Sequence, residues 1–117
     1  MVRPKGEGFP RKYRIVKSSE YRSLYGRGKR LQAQRFVLYR RENNLEHHRL
    51  GITVSRKIGR AVVRNRIKRL FREIFRRNRA EIPHHYDFVV NAKQGCAGAT
   101  YSELRKEFLA TVLGNGR

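Results

Sequence analysis

An α+β fold, with helices packed on a small sheet, is what three observations in this sequence predict. Residues 50–55 alternate apolar and small or polar side chains with a period of two, and Phe36-Val37-Leu38-Tyr39 is a compact β-prone run, so both read as strands. Residues 59–78 instead repeat their apolar side chains at helical spacing, which predicts a long amphipathic helix. Clusters of Gly, Pro and Asn punctuate these segments where turns are needed. The predicted order is α-β-β-α-β-α. At 117 residues the chain suits one domain, because two would each lack the interior to fold alone.

Residues 1–9 mix Gly, Pro and charge and are expected to form a disordered basic tail, leaving 10–117 as the folded domain. Ser18 and Ser19 suit the cap of a short helix over 20–25, ended by Gly26 and Gly28. Tyr21 and Tyr25, four residues apart, share one face of it. The strand at 36–39 is followed by the polar turn Glu42-Asn43-Asn44. In the strand at 50–55, Leu50, Ile52 and Val54 lie on one face. If Phe36 and Leu38 join them in the core, Val37, Tyr39 and Thr53 fall on the opposite face of the sheet. The long helix carries the stripe Val63, Ile67, Leu70, Phe71, Ile74 and Phe75, and Pro83 bars its continuation. A third strand over 86–92, a Gly-rich loop at 95–98 and a last helix over 102–113, with Leu104, Phe108, Leu109 and Val112 inward, complete the chain.

Charge narrows the partners. With 29 Lys and Arg against 9 Asp and Glu, the net charge is +20, a self-repulsion that a polyanion relieves. Nucleic acid is the expected partner. No stretch resembles a signal peptide or reaches the roughly 20 apolar residues of a membrane span, so a reduced, cytoplasmic protein without membrane contact is expected. The single cysteine, Cys96, has no disulfide or metal partner of its own kind and reads as a small loop residue.

The charge concentrates on the long helix. Nine of the twenty residues from Arg60 to Arg79 are Lys or Arg, and only Glu73 opposes them. Lys68, Arg69, Arg72 and Arg76 surround Asn65 on the side away from the apolar stripe. Like charges stand at 64/68, 68/72 and 72/76, pairs that weaken an isolated helix and make sense with phosphates between them. Just upstream, Arg56, Lys57 and Arg60 flank Gly59 at the helix N-terminus, where free backbone N–H groups favour an anion.

The run Arg56-Lys57-Ile58-Gly59-Arg60-Ala61-Val62-Val63-Arg64-Asn65-Arg66-Ile67-Lys68-Arg69 resembles the signature of the bacterial ribonuclease P protein family, including its Arg-Asn-Arg core. The likeness extends over roughly residues 9–113 in element order and length. It implies a left-handed strand-helix-strand crossover over 50–92, the ribosomal S5 domain 2-like topology, where general rules would select a right-handed one. It also implies an endoribonuclease subunit that binds ribonuclease P RNA and precursor tRNA, with Mg²⁺ held mainly by the RNA and hydrolysis carried there. In that reading Arg56, Lys57, Arg60, Arg64, Asn65, Arg66, Lys68, Arg69 and Arg72 meet the catalytic RNA. A central cleft takes the single-stranded 5′ leader, and a further region contributes metal binding, with no ligand assignable from this sequence.

Residue chemistry agrees with a subunit that lacks its own active site or small-molecule substrate. Glu73, Glu81, Asp87, Glu103 and Glu107 are scattered, with no close pair for acid–base work. The adjacent pairs His47-His48 and His84-His85 do not converge on a metal as i,i+4 histidines do, and read as polar loop residues. For the cleft, Tyr21 and Tyr25 from the first helix with Val37, Tyr39 and Thr53 from the sheet suit a groove in which aromatic rings stack on bases. The same tyrosines could equally staple the helix to the sheet. Family members often carry Phe at the two helix positions. Composition alone leaves a structural, ribosomal-type RNA-binding protein open, and a DNA-reading helix fits less well, because nearly all its polar side chains are of the phosphate-binding kind.

Overall fold

A computed structural model describes residues 10–114, so the tail expected over 1–9 lies outside the described residues. The elements in chain order are α1 (Ser18–Arg27), β1 (Lys29–Gln32), β2 (Phe36–Glu42), β3 (Arg49–Thr53), α2 (Ala61–Asn78), β4 (Tyr86–Ala92) and α3 (Tyr101–Leu109). The strands form one mixed sheet in the order β1-β2-β4-β3. β4 runs antiparallel to β2 and parallel to β3, so β3–α2–β4 is a strand-helix-strand unit. β4 is covered on both faces, and Phe88, Val89 and Val90 are accordingly all buried.

β1 is an addition to the expected order. Its four residues, Lys29-Arg30-Leu31-Gln32, include one apolar side chain, too few to show a period. Leu31 stands opposite Leu38 and buries beside it, so pairing with β2 rather than local preference makes this a strand. On the other side of the sheet, the Ile15 N–H donates to the Leu50 carbonyl at 3.1 Å and so covers the outer edge of β3.

One face of the sheet packs Phe36, Leu38, Leu50, Phe88 and Val90 against Ile67, Phe71, Ile74 and Phe75 of α2 and Leu104 and Phe108 of α3. Val63, Leu70 and Leu109 border this core, so both predicted stripes face inward. The opposite face carries a smaller cluster, Ile15, Leu24 and Val89, with Tyr21 and Tyr39 against it. The faces are therefore those that the period of two assigns.

Helix ends differ in detail from the sequence reading. Lys17, not a serine, is the N-cap of α1, and no side chain caps it; Ser18 and Ser19 lie in its first turn. Gly28 closes the helix, its N–H donating to the Leu24 carbonyl at 2.8 Å. A Cβ there would lie 2.6 Å from that oxygen and 3.0 Å from the Arg40 carbonyl, so the chain passes where only glycine fits. α3 starts on a capping box, with the Glu103 N–H donating to Thr100 and the Thr100 N–H to the Glu103 carboxylate. It widens into a π-helical turn over Ala110–Gly114.

The histidines correct the sequence reading at one position. His48 lies in the loop between β2 and β3 as expected, but it is no solvent-facing polar residue: it is 4 % exposed and sits against Phe75 and Phe88. Its Nδ1 accepts the Tyr86 N–H at 3.0 Å, which leaves Nε2–H to donate to the Ile82 carbonyl at 3.3 Å. Burial pushes its pKa below the usual histidine range, with His85 and Arg79 adding to the shift. Cys96 is also buried, its thiol donating to the Arg35 carbonyl at 3.2 Å and pushed up to about 11 by burial.

Candidate RNA interface

Two surfaces answer to the residues singled out in the sequence. The first lies on the sheet face that α1 crosses. Registers place Val37 and Thr53 on either side of Asn91, and Tyr39 and Gly51 on either side of Val89. Above this row the Tyr25 ring meets the Tyr39 ring edge to face at 5.0 Å and lies 6.5 Å from the Tyr21 ring. All five predicted cleft residues thus come together on one face.

They are not equivalent. Tyr21 sits deep: its hydroxyl donates to the Ile15 carbonyl at 3.2 Å, and burial raises its pKa above the ordinary tyrosine range. Gly51 makes that seat possible, because a Cβ there would meet the hydroxyl oxygen at 2.6 Å. Tyr25 is 40 % exposed, with its hydroxyl donating to Asn91 Oδ1 at 3.0 Å and 3.4 Å from the Thr53 hydroxyl. Stapling describes Tyr21, while Tyr25 keeps ring surface open to solvent.

Asn91 is a groove residue that the sequence reading passed over. Its signal was present: with Asp87 and Val89 it forms the face of β4 opposite Phe88, Val90 and Ala92. Arg49 was missed as well. Its guanidinium grips Asp87 bidentately, Nε–Oδ1 at 2.9 Å and Nη2–Oδ2 at 2.7 Å, and reaches Glu20 of α1 at 3.0 Å. α1 is thereby held over the sheet at Glu20 near its start and at Tyr25 near its end. No local pattern marks a contact between residues so far apart in the chain.

The second surface is the basic side of α2. Arg56 and Lys57 are exposed on a 3-10 turn, Arg56–Ile58, whose Lys57 N–H donates to the Ser55 hydroxyl at 3.2 Å. Arg60, Asn65 and Arg69 are exposed, and Lys68 is half-buried. Arg64 bends back, its Nε donating to the Gly59 carbonyl at 3.1 Å. Arg66 reaches to the loop before α3, donating to the Ala99 carbonyl at 2.9 Å and to that of Ala97 at 3.5 Å. Arg72 lies at the flank facing Tyr21 and Arg14, where burial and then Arg14 pull its pKa down. At the far end, Glu73 holds both Arg76 and Arg77. The expected 72/76 repulsion is therefore relieved, and the exposed basic side chains Arg56, Lys57, Arg60 and Arg69 lie on the first half of the helix and the turn before it.

Among the described residues no three His, Cys, Asp or Glu side chains gather to hold a metal ion, and Asp87 and Glu20 are engaged by Arg49. The described residues therefore offer no cluster that would enclose a Mg²⁺ ion with protein ligands alone. No helix among the described residues is long and apolar enough to cross a membrane.

The family model described as Ribonuclease P matches residues 9–114. The "Ribonuclease P protein component" of Bacillus cereus is 40% identical over 85% of this chain and 87% of its own length. That of Macrococcus caseolyticus is 44% identical over 80% and 82%. Among solved structures, the Thermotoga maritima RNase P protein superposes with a TM-score of 0.78 at 35% identity, covering 85% of this chain and 94% of that one. A Staphylococcus aureus RNase P protein gives 0.77 at 35% identity, covering 85% and 91%. Sequence, fold and the Arg-Asn-Arg helix agree, and the chain belongs to the family of bacterial ribonuclease P proteins, the protein subunit of a ribonucleoprotein endoribonuclease.

Proposed function

We propose that this subunit holds the single-stranded 5′ leader of precursor tRNA in the groove beneath α1 while the N-terminal half of α2 and its upstream turn dock on the ribonuclease P RNA. Hydrolysis is assigned to the RNA with its Mg²⁺, and the protein's side chains bind and orient, in the cytoplasm. The observation that carries the leader assignment is the Tyr25–Tyr39 pair at 5.0 Å over the Val37, Asn91 and Thr53 row. An exposed ring edge beside polar groups suits a base that stacks and is then hydrogen-bonded at its rim. Arg72 brings positive charge toward that groove from α2, so the two surfaces adjoin at its flank.

The test is reconstitution of the full chain with its catalytic RNA. Binding of precursor tRNA and of mature tRNA, which lacks the leader, is compared for the unaltered protein and for Tyr25→Ala. A selective loss for the precursor supports the groove. Equal losses for both tRNA forms would place the leader elsewhere.

A further inference from the structure

A cavity of about 270 Å³ opens at the C-terminal end of α2, away from both surfaces described above. Tyr13, Glu46, His47, Arg79 and His85 contribute to its walls. Its base is aromatic: the Arg79 guanidinium lies 4.0 Å from the centroid of the Tyr13 ring, and the His47 ring meets the same tyrosine edge to face at 5.2 Å. The Lys12 ammonium stands 5.1 Å from that centroid, so one ring carries two cations.

Arg79 differs from the other half-buried arginines that brace this fold. Arg49 is saturated by Asp87 and Glu20, Arg35 by Glu107 and Glu103, and Arg66 reaches backbone carbonyls. Arg79 Nη1 is buried and has no hydrogen-bond partner among the described residues. Among the described residues neither Arg79 nor Lys12 forms an ion pair. A buried charged donor left unmet is costly, and such groups ordinarily find an acceptor in an ion or water. His48, at the cavity wall, offers no acceptor, because both its ring nitrogens are committed to Ile82 and Tyr86. Glu46, the carboxylate at the wall, is exposed and makes no ion pair among the described residues.

We propose that this cavity is a phosphate-binding site, with Arg79 as its principal donor, Tyr13 as the platform that holds the guanidinium, and Lys12 adding to the field. A guanidinium fork matches phosphate oxygens two at a time, and the aromatic wall suits a nucleotide's phosphate better than a bare carboxylate. The site is a separate contact from the Arg56–Arg64 region. α2 has 18 residues, which places its ends roughly 27 Å apart at 1.5 Å per residue, too far for one phosphate to touch both. A phosphate of the RNA backbone and free inorganic phosphate share this chemistry. The existence of the site does not rest on the leader reading; only the choice of source concerns RNA at all.

The experiment is titration of the full chain with inorganic phosphate at constant ionic strength, following the Arg79 Nε–Hε resonance by NMR. A saturable shift at Arg79 is expected, and Arg79→Gln should weaken binding at this site about tenfold or more, the range for a charged hydrogen bond. Glu46→Gln, on an exposed loop residue, keeps the test valid should Arg79→Gln fail to fold. It removes a competing carboxylate and should tighten binding roughly two- to fivefold. No saturable response at Arg79, or an affinity indifferent to Glu46→Gln, overturns the proposal. The source is then read by repeating the titration on the complex with catalytic RNA. Loss of the phosphate response there assigns an RNA phosphate to the cavity, and a retained response assigns the free ion.

Discussion

The two faces of the sheet are built by opposite means. Toward α2 and α3, Phe36, Phe71, Phe75, Phe88 and Phe108 interlock almost without exposure, so that side is held by apolar area and close packing. Toward α1, the buried apolar side chains are few, and a ten-residue helix is fixed largely by polar contacts: Glu20 to Arg49, Tyr21 to Ile15 and Tyr25 to Asn91. Alternation along the same strands feeds both sides. The first face supplies stability, and the second leaves a ring edge and an amide near the surface. On the proposed leader reading, the half-covered face of the sheet is the groove that a flexible strand would enter.

The sharpest way to test that contrast is to damage the sealed face. Phe71→Ala or Phe88→Ala should cost about 3–5 kcal/mol of stability, measured by urea denaturation, because a large ring leaves a cavity that the neighbours only partly refill. A loss below about 1 kcal/mol would mean that this face is not the main core.

Arg49→Ala strikes the polar clamp. It leaves Asp87 with only the Asn43 amide as a side-chain partner and releases Glu20, and should cost roughly 2–3 kcal/mol in the same assay. Because α1 then loses one of its polar anchors, precursor binding should fall while the fold persists by circular dichroism.

Tyr25→Ala, on the open edge, should do the reverse. Stability should drop by less than about 1 kcal/mol, while precursor tRNA binds the holoenzyme roughly 5- to 150-fold more weakly, the range for one lost base–aromatic stack. Tyr25→Phe keeps the ring, yet it should not be wholly silent, because the hydroxyl bonds Asn91. A stability loss of about 0.5–1 kcal/mol is expected.

The basic helix separates into charges that face outward and charges already spoken for. Arg56→Ala, Arg60→Ala and Arg69→Ala together should lower the log–log salt slope of binding to the catalytic RNA by about 2–3 and leave stability unchanged. Arg66→Ala should instead cost roughly 1 kcal/mol of stability, since Arg66 braces the loop before α3.

The smallest effect concerns pH. Folding lowers the pKa of His48, so the unfolded chain binds the proton more tightly. The stability that neutral His48 contributes is present above the ordinary histidine pKa of about 6.5 and is lost as pH falls below it toward the lowered folded-state value. His48→Gln should flatten the curve of stability against pH in that window. A curve with the same slope in both proteins would assign the dependence to other groups.

Much of this was legible in the chain. The period of two put Val37, Tyr39 and Thr53 on the face away from Phe36 and Leu38, and the helical period put Ile67, Phe71, Ile74 and Phe75 inward, because side-chain direction follows from local backbone geometry alone. The Arg-Asn-Arg helix was likewise readable as a motif. Tertiary structure alone decided what each polar group does. Whether Arg66 faces RNA or a carbonyl depends on a loop 31–33 residues away. His48 became a buried pin because β4 brings Tyr86 to its Nδ1, and Lys29–Gln32 became a strand because β2 lay beside it. Hydrogen bonds and ion pairs are satisfied by partners of any sequence separation, and no local pattern records which partner the fold will deliver.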